Sequence, residues 1–348
     1  MEKVKKDCPP GTYLYAVPVS GVRIAKNIGH EFRIQQVTLF STAKFLRLRR
    51  YGLQFTGSRI RKTARRWIDE THTVAVLQIS GVPEERRELC HRMVRDELLL
   101  LSSSRLGFRK RTRPFVVAPM GSQSVYDSDD IFIGKDVEWM RLNSTRVTAD
   151  YLGIDRHFVT FQKELFFPRL MGIVADKYSH TKRWRDFLRG VALLAGKSQN
   201  SVELADAFLW NMVALDRLLL MKRESKRHND AIVDRTKAFF GRCRFWTRQR
   251  MDEKIRNIYD KRCKLVHDGN RAAVNFSHLI LSDEVLANLL IAIVHHQRHF
   301  GSKRSIMDFA ERENAKETLG LKPRSRDWQF GYRRLRYTAN DVGKHWAL

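Results

Sequence analysis

The pattern of apolar and polar positions changes near the middle of the chain. In the first part, short runs of β-branched and aromatic residues, bounded by glycine, proline or polar turns, predict strands over 12–19, 31–40, 73–79 and 113–120. The run Pro83-Glu84-Glu85 predicts a helix that continues to about Leu101, because proline suits a first helical position and acids suit a first turn. We therefore expect residues 1–170 to form an α+β domain.

Beyond about residue 183, apolar residues recur at helical spacing. Five such stripes lie within 184–191, 202–219, 232–240, 251–265 and 285–300. The polar run Ser282-Asp283-Glu284 is interpreted as the start of the last helix. Because the loops between these helices are short, 183–317 is predicted to form an all-α helical bundle.

The formal net charge of the chain is +27, which favours a polyanionic partner, with nucleic acid as the first candidate. A generally basic soluble protein is the alternative. The four cysteines have no metal-ligand spacing, so we expect no metal site, no cofactor and a cytoplasmic location. No apolar run approaches the ~18 residues of a membrane span, and no membrane contact is expected.

Two clusters in the N-terminal half combine basic side chains with an aromatic residue, which suits phosphate contacts and base stacking. Trp67 accompanies the first and Phe108 the second. The predicted nucleic-acid-binding residues are Arg61, Lys62, Arg65, Arg66, Arg109, Lys110 and Arg111. Solvated surface charge is the alternative for these clusters. The basic, aromatic tail over 318–348 could bind nucleic acid too, or pack as an arm on the bundle or on a second copy.

Arg262 falls within the apolar stripe of the fourth helix, four residues after Ile258 and three before Leu265. An arginine on a buried helix face is costly unless an anion pairs with it. That anion could be a phosphate of a ligand, or a carboxylate such as Asp216 or Asp260.

His267 follows Arg262 by five residues, in the last turn before Gly269. A helix C-terminus stabilises imidazolium by roughly 0.3–1 kcal/mol, which suits a general acid. Five residues are about 140° of helical rotation, so the two side chains would not converge on one straight helix. They could meet if the helix frays at His267, or if two copies of the segment face each other across a dimer.

The spacing of this pair occurs twice more, at Arg86/His91 and Arg223/His228. Only the pair Arg262/His267 has Tyr259-Asp260 before it and Asp268-Gly269 after it. With these flanks the segment resembles the signature of HEPN proteins, in particular the Apea-like group, which has an Ile-Tyr-Asp-x-Arg-x-Lys-φ-Val-His-x-Gly-like run (φ is apolar). The resemblance covers about 185–315: residues 209–241 resemble the first two helices of the family and 285–300 its last.

The resemblance implies that the α+β domain is followed by an HEPN-like helical bundle, and that the bundle is a metal-independent endoribonuclease. Arg262 would stabilise the charged phosphorane, His267 would act as general acid or base, and Tyr259 and Asp260 would orient the pair. It also implies an RNA substrate, a homodimer formed through the bundle, and a role as a toxin or phage-defence effector.

Two alternatives stay open at the level of sequence. One is a non-catalytic module that binds RNA or serves as a scaffold, and Cys263 favours it because many family members have a polar residue directly after the arginine. The other is an adaptor that binds an acidic, antitoxin-like protein.

Overall fold

The computed structural model describes residues 12–45, 72–80, 83–108, 111, 116–119, 127–132, 141–146, 151–321 and 330–335. The chain divides into two compact units. Met1–Leu98 and Arg113–Arg156 form the first, and Leu99–Thr112 and His157–Leu348 form the second. The first unit contains the sheets and the second is mostly helical, so an α+β region precedes a helical one. The longer segment of the second unit begins at His157, before the boundary near residue 170 that the sequence suggests.

The strands of the first unit form one five-stranded sheet and two strand pairs. They are β1 (Thr12–Ser20), β2 (Val22–Ile24), β3 (Glu31–Arg33), β4 (Val37–Ser41), β5 (Thr73–Ser80), β6 (Ala118–Pro119), β7 (Asp127–Phe132), β8 (Arg141–Arg146) and β9 (Leu152–Ile154). The order in the large sheet is β3-β4-β5-β1-β6, with antiparallel neighbours throughout. β2 pairs with β9 in parallel, and β7 pairs with β8 in antiparallel orientation. The described residues of this part of the chain also form two α-helices, α1 (Thr42–Phe45) and α2 (Pro83–Ser103), and a short 3-10 helix (Lys26–Ile28).

The predicted strand over 31–40 is in fact the hairpin of β3 and β4. The carboxylate of Glu97, on α2, accepts hydrogen bonds of 2.9–3.0 Å from the backbone N–H groups of Gln35, Gln36 and Val37. The Glu97 side chain therefore satisfies the backbone N–H groups at the turn. In a continuous strand, these donors would instead pair with a neighbouring strand. The other predicted strand that differs is 113–120, of which residues 116–119 are described and only Ala118–Pro119 form β6.

The second unit contains nine helices among its described residues. They are α3 (Arg156–Gln162), α4 (Phe167–Val174), α5 (Lys182–Asn200), α6 (Leu204–Leu219), α7 (His228–Phe240), α8 (Arg244–Arg248), α9 (Met251–His267), α10 (Phe276–His295) and α11 (Lys303–Thr318). The apolar stripes of the long helices form the core. On α6, for example, Phe208, Met212, Leu215 and Leu219 are fully buried at spacings of four, three and four.

The 20-residue helix α10 begins at Phe276 rather than at Ser282, where the sequence suggests a start. Asn275 and His278 form a capping box at its N-terminus. Within the described residues, α10 is also the one helix long and apolar enough to cross a membrane, but 78% of its apolar window is buried inside the protein. This burial is typical of the core helix of a soluble domain.

The described part of the C-terminal tail, 330–335, packs on the helical unit of its own chain. Phe330 is buried within a cluster of aromatic rings that includes Phe239, Phe300 and Phe309. The Asn288 amide donates to the backbone carbonyl of Arg333 at 2.8 Å and accepts from its N–H at 2.7 Å. The described tail residues therefore form an arm on the bundle, which is one of the alternatives left open by the sequence.

Candidate active site of the helical unit

The helix α9 holds all four residues that the resemblance assigns to catalysis. Its buried stripe of Met251, Ile255, Ile258 and Leu265 fixes it against the core. The helix stays regular through His267 and ends because Gly269 adopts a φ of 64°, so that the N–H of Asn270 reaches back to the carbonyl of Lys264 at 3.2 Å. Fraying at His267, one of the expected ways for the pair to converge, is therefore not what the helix does.

One face of α9 opens on a shallow depression of about 450 Å³. Its residues from this helix are Tyr259, Asp260, Arg262, Cys263 and His267. Tyr259 is buried, Asp260 and His267 are exposed, and the other two are half-buried. The predicted residues thus line a common surface although Arg262 and His267 do not point the same way.

Cys263 lies between Arg262 and His267 on this face. At about 100° of rotation per residue, Cys263 is about 100° from Arg262 and, four residues before His267, about 40° from it on the same side. A ligand that contacts both the guanidinium and the imidazole therefore lies close to the thiol.

The opposite wall of the depression is the segment Lys226–Asn229, whose His228 is the first residue of α7. An ion pair of 2.8 Å between Arg256 and Asp230 joins α9 to this end of α7. The predicted site residues do not include this wall. Its local signals in the sequence are the basic run Lys226-Arg227-His228 and the spacing of Arg223 and His228, which matches that of Arg262 and His267.

The depression is basic. The lining contains the cations Lys226, Arg227 and Arg262 and two histidines, whereas Asp260 is the one carboxylate in the lining. Such a lining favours a phosphate group over a cation or an apolar ligand.

Arg262 is oriented by a carboxylate on another helix. Its Nη2 donates to Oδ2 of Asp216, on α6, at 3.0 Å, and its guanidinium carbon lies 5.6 Å from the ring centre of Tyr259. The two charged side chains are only 21% and 18% exposed. Of the two carboxylates that the sequence offers as partners for Arg262, Asp216 is therefore the one that binds it. Among the described residues, Arg262 Nε and Asp216 Oδ1 are buried and have no hydrogen-bond partner.

Burial and neighbouring charges shift two ionisable groups beside this pair. Burial raises the pKa of Asp216, and the cations Arg262, His228 and Lys303 oppose that rise. Burial also raises the pKa of Tyr259 to about 12, with a further contribution from the Asp216 carboxylate. Tyr259 therefore keeps its proton at neutral pH and presents a hydroxyl that can donate a hydrogen bond.

The predicted nucleic-acid-binding residues in the N-terminal half have a different outcome. Arg61, Lys62, Arg65, Arg66, Arg109 and Lys110 lie outside the described residues. Arg111 is described, and its position in the core differs from the predicted phosphate contact. The side chain is 3% exposed and belongs to the helical unit.

Arg111 is buried because it neutralises a carboxylate in the core. Its Nη2 donates to Oδ1 of Asp283 and to the hydroxyl of Ser198, each at 3.0 Å. Asn211 donates to the same Asp283 oxygen at 2.7 Å. Since Asp283 is 2% exposed, this ion pair is fully removed from solvent and takes no part in contacts with a ligand.

Comparison of the chain with models of protein families, with curated proteins and with solved structures finds no match. Within the described residues, no group of three or more His, Cys, Asp or Glu side chains is arranged to hold a metal ion.

Proposed function

We propose that the helical unit is a metal-independent endoribonuclease of HEPN type, acting in the cytoplasm as a toxin or phage-defence effector. The observation that carries the proposal is that Arg262, His267, Tyr259 and Asp260 line one open, basic depression. A cation, an imidazole and a hydroxyl donor around an accessible surface are suited to acid–base cleavage of a phosphodiester.

In the proposed reaction, the 2′-oxygen of RNA loses its proton to a base and attacks the adjacent phosphorus. The bond from phosphorus to the 5′-oxygen breaks, and that oxygen takes a proton from an acid. The products are a 2′,3′-cyclic phosphate and a free 5′-hydroxyl. Arg262 would stabilise the extra negative charge on the phosphorane, with Asp216 holding its guanidinium in place and Tyr259 donating a further hydrogen bond.

The reaction needs two proton transfers, and His267 supplies one. His228 lines the same depression and is exposed, so it is a candidate for the second. The other candidate is His267 of a second copy, if the bundle forms a homodimer in which two segments face each other. The His228→Ala variant separates these arrangements: it should lose cleavage if His228 makes the second proton transfer, and should cleave at the parent rate if His267 of a second copy makes it.

The test is cleavage of total RNA and tRNA in EDTA by the parent protein, His267→Ala and His299→Ala, with the product ends mapped. His299 is an exposed histidine outside the lining of the depression and serves as the matched control. We expect cyclic phosphate ends from the parent and the control only. Cleavage by His267→Ala at the parent rate would refute the assignment of the site.

A second candidate function is a module that binds RNA, or an acidic antitoxin-like protein, without cutting. The observation that favours it is the pairing of Arg262 with Asp216, which already neutralises the guanidinium, together with the weakly hydrogen-bonding thiol of Cys263 at the centre of the face. This candidate predicts RNA retention that falls steeply between about 50 and 200 mM salt, without new RNA ends. A protein partner would instead appear as co-purification of a small acidic chain.

A further inference from the structure

The helical unit has a second surface depression, of about 500 Å³, that the proposed chemistry does not use. It is lined by Lys182, Arg183, Asp186 and Phe187 of α5 and by Arg217 of α6. Three cations surround one aromatic ring and one carboxylate. Among the described residues, none of the three cations takes part in an ion pair, so their charge is available to a ligand.

Consecutive residues of α6 link this second depression to the candidate active site. Asp216 binds Arg262 of the first depression, and Arg217 lines the second. Consecutive Cα atoms are about 3.8 Å apart, and their side chains diverge by about 100° around a helix. A chain molecule that contacts both Arg262 and Arg217 therefore crosses α6 near Asp216.

The guanidinium of Arg217 is held in a defined place at the surface. Its carbon lies 5.6 Å from the ring centre of Phe187, and a Cβ atom on Gly190 would come within 2.5 Å of its Nη2. The absence of a side chain at Gly190 thus leaves room for this guanidinium on the surface of α5. Trp184 stacks on Phe187 with ring centres 5.2 Å apart, which fixes the ring that supports Arg217.

We propose that this second depression binds the backbone of single-stranded RNA next to the cleaved phosphodiester, with Arg217 as its main phosphate contact. The inference rests on the proposed function for the identity of the ligand. Unpaired cations with a planar guanidinium on an aromatic support suit a flexible strand, whose phosphates bind the cations and whose bases stack on guanidinium planes. Continuity with the candidate site favours RNA over an acidic protein.

The experiment measures binding of a short 2′-O-methyl RNA, which lacks the attacking hydroxyl and cannot be cut, as a function of salt. Arg217→Gln should weaken binding on the order of fivefold and lower the slope of log K against log salt by about 0.7, the value for one lost contact to a single strand. Gly190→Ala should act in the same direction, because the new methyl group displaces the guanidinium. Alanine favours a helix more than glycine does, so this variant is not expected to lose its fold.

Arg248→Gln is the matched control. It removes the same charge from an exposed arginine of the same unit that lines neither depression. If Arg217→Gln binds with the affinity and salt slope of the parent, the inference is overturned, even for a protein that cleaves RNA. It is also overturned if the parent retains no RNA but holds an acidic protein. If the parent never cleaves RNA yet binds it through Arg217, the nuclease proposal fails and the binding surface stands.

Discussion

Asp216 binds Arg262 at 3.0 Å from a position 46 residues earlier in the chain, on a different helix. The pair joins α6 to α9 in the helical unit and sets the direction of the Arg262 guanidinium in the candidate active site. Most of its consequences can be tested by changing one partner at a time.

We expect Asp216→Asn to separate RNA binding from RNA cleavage. The amide no longer fixes the guanidinium by charge, so the turnover number should fall by about 10- to 100-fold through misplacement of Arg262. Removing a negative charge beside the depression should leave binding of uncleavable RNA as tight as in the parent, or tighter. The measurement is a comparison of kcat with the affinity for 2′-O-methyl RNA. Faster cleavage by this variant would instead show that the ion pair restrains the enzyme.

Removing Arg262 should lower the free energy of unfolding in a pH-dependent way. Arg262 opposes the rise that burial causes in the pKa of Asp216, so Arg262→Ala should raise that pKa further above its usual 3.8. Between the pKa of Asp216 in the unfolded state and its raised pKa in the folded state, the folded state keeps a proton that the unfolded state has lost. The stability of the variant therefore falls as the pH rises through this range. The deficit of the variant should be small near pH 4 and reach about 2–3 kcal/mol near pH 7.

Urea denaturation at several pH values measures this deficit. The double variant Asp216→Asn/Arg262→Ala is the control, since without the carboxylate the pH dependence of the deficit should disappear. A deficit of equal size at both ends of the range would show that Arg262 stabilises the unit through packing and not through charge.

Alkylation of Cys263 should block the candidate active site. The thiol is half-buried and lies between Arg262 and His267 on the face of α9 that lines the depression, so an added carboxymethyl group would bring both bulk and negative charge there. We expect treatment with iodoacetate to abolish RNA cleavage and uncleavable RNA to slow the modification. Cys263→Ser should cleave RNA and resist the reagent. Equal inactivation of Cys263→Ser would place the sensitive thiol elsewhere, for example at Cys243, which is also half-buried.

Arg111 should matter for stability and not for nucleic-acid binding. Arg111→Ala leaves Asp283 as an unpaired carboxylate in the core, which typically costs about 3–5 kcal/mol. Arg111→Met/Asp283→Leu, which removes both charges and keeps apolar volume, should recover most of that loss. The checks are thermal unfolding and the salt slope of RNA binding. If a variant of unchanged stability shows a lower salt slope of RNA binding, Arg111 contacts phosphate as the sequence suggests.

The outcome for α9 illustrates how far the sequence could lead. Its apolar stripe predicted the helix, its end near Gly269 and an anion beside Arg262, because these depend on residues close together in the chain. Asp216 was one of two carboxylates considered, and only the packing of α6 against α9 decides between them. The wall formed by Lys226–Asn229 was missed for the same reason.

Arg111 and Asp283 show the opposite case. Each had a plausible local interpretation, a basic surface cluster for one and a helix start for the other, and each interpretation treated the charged residue as solvated. The two residues are 172 positions apart and neutralise each other in the core. A pattern within a short window gives no indication of a partner at that separation.

The segment Leu99–Thr112 belongs to the helical unit, although the chain on both sides of it, up to Leu98 and over Arg113–Arg156, belongs to the other. A gene fragment that encodes only His157 onwards would lack the arginine that neutralises Asp283. A crossover at His157 therefore cannot pass the complete helical unit to another gene without a compensating change at Asp283. For this reason the two units are expected to be inherited and to diversify together, and new specificities should arise by substitution within them more readily than by domain shuffling.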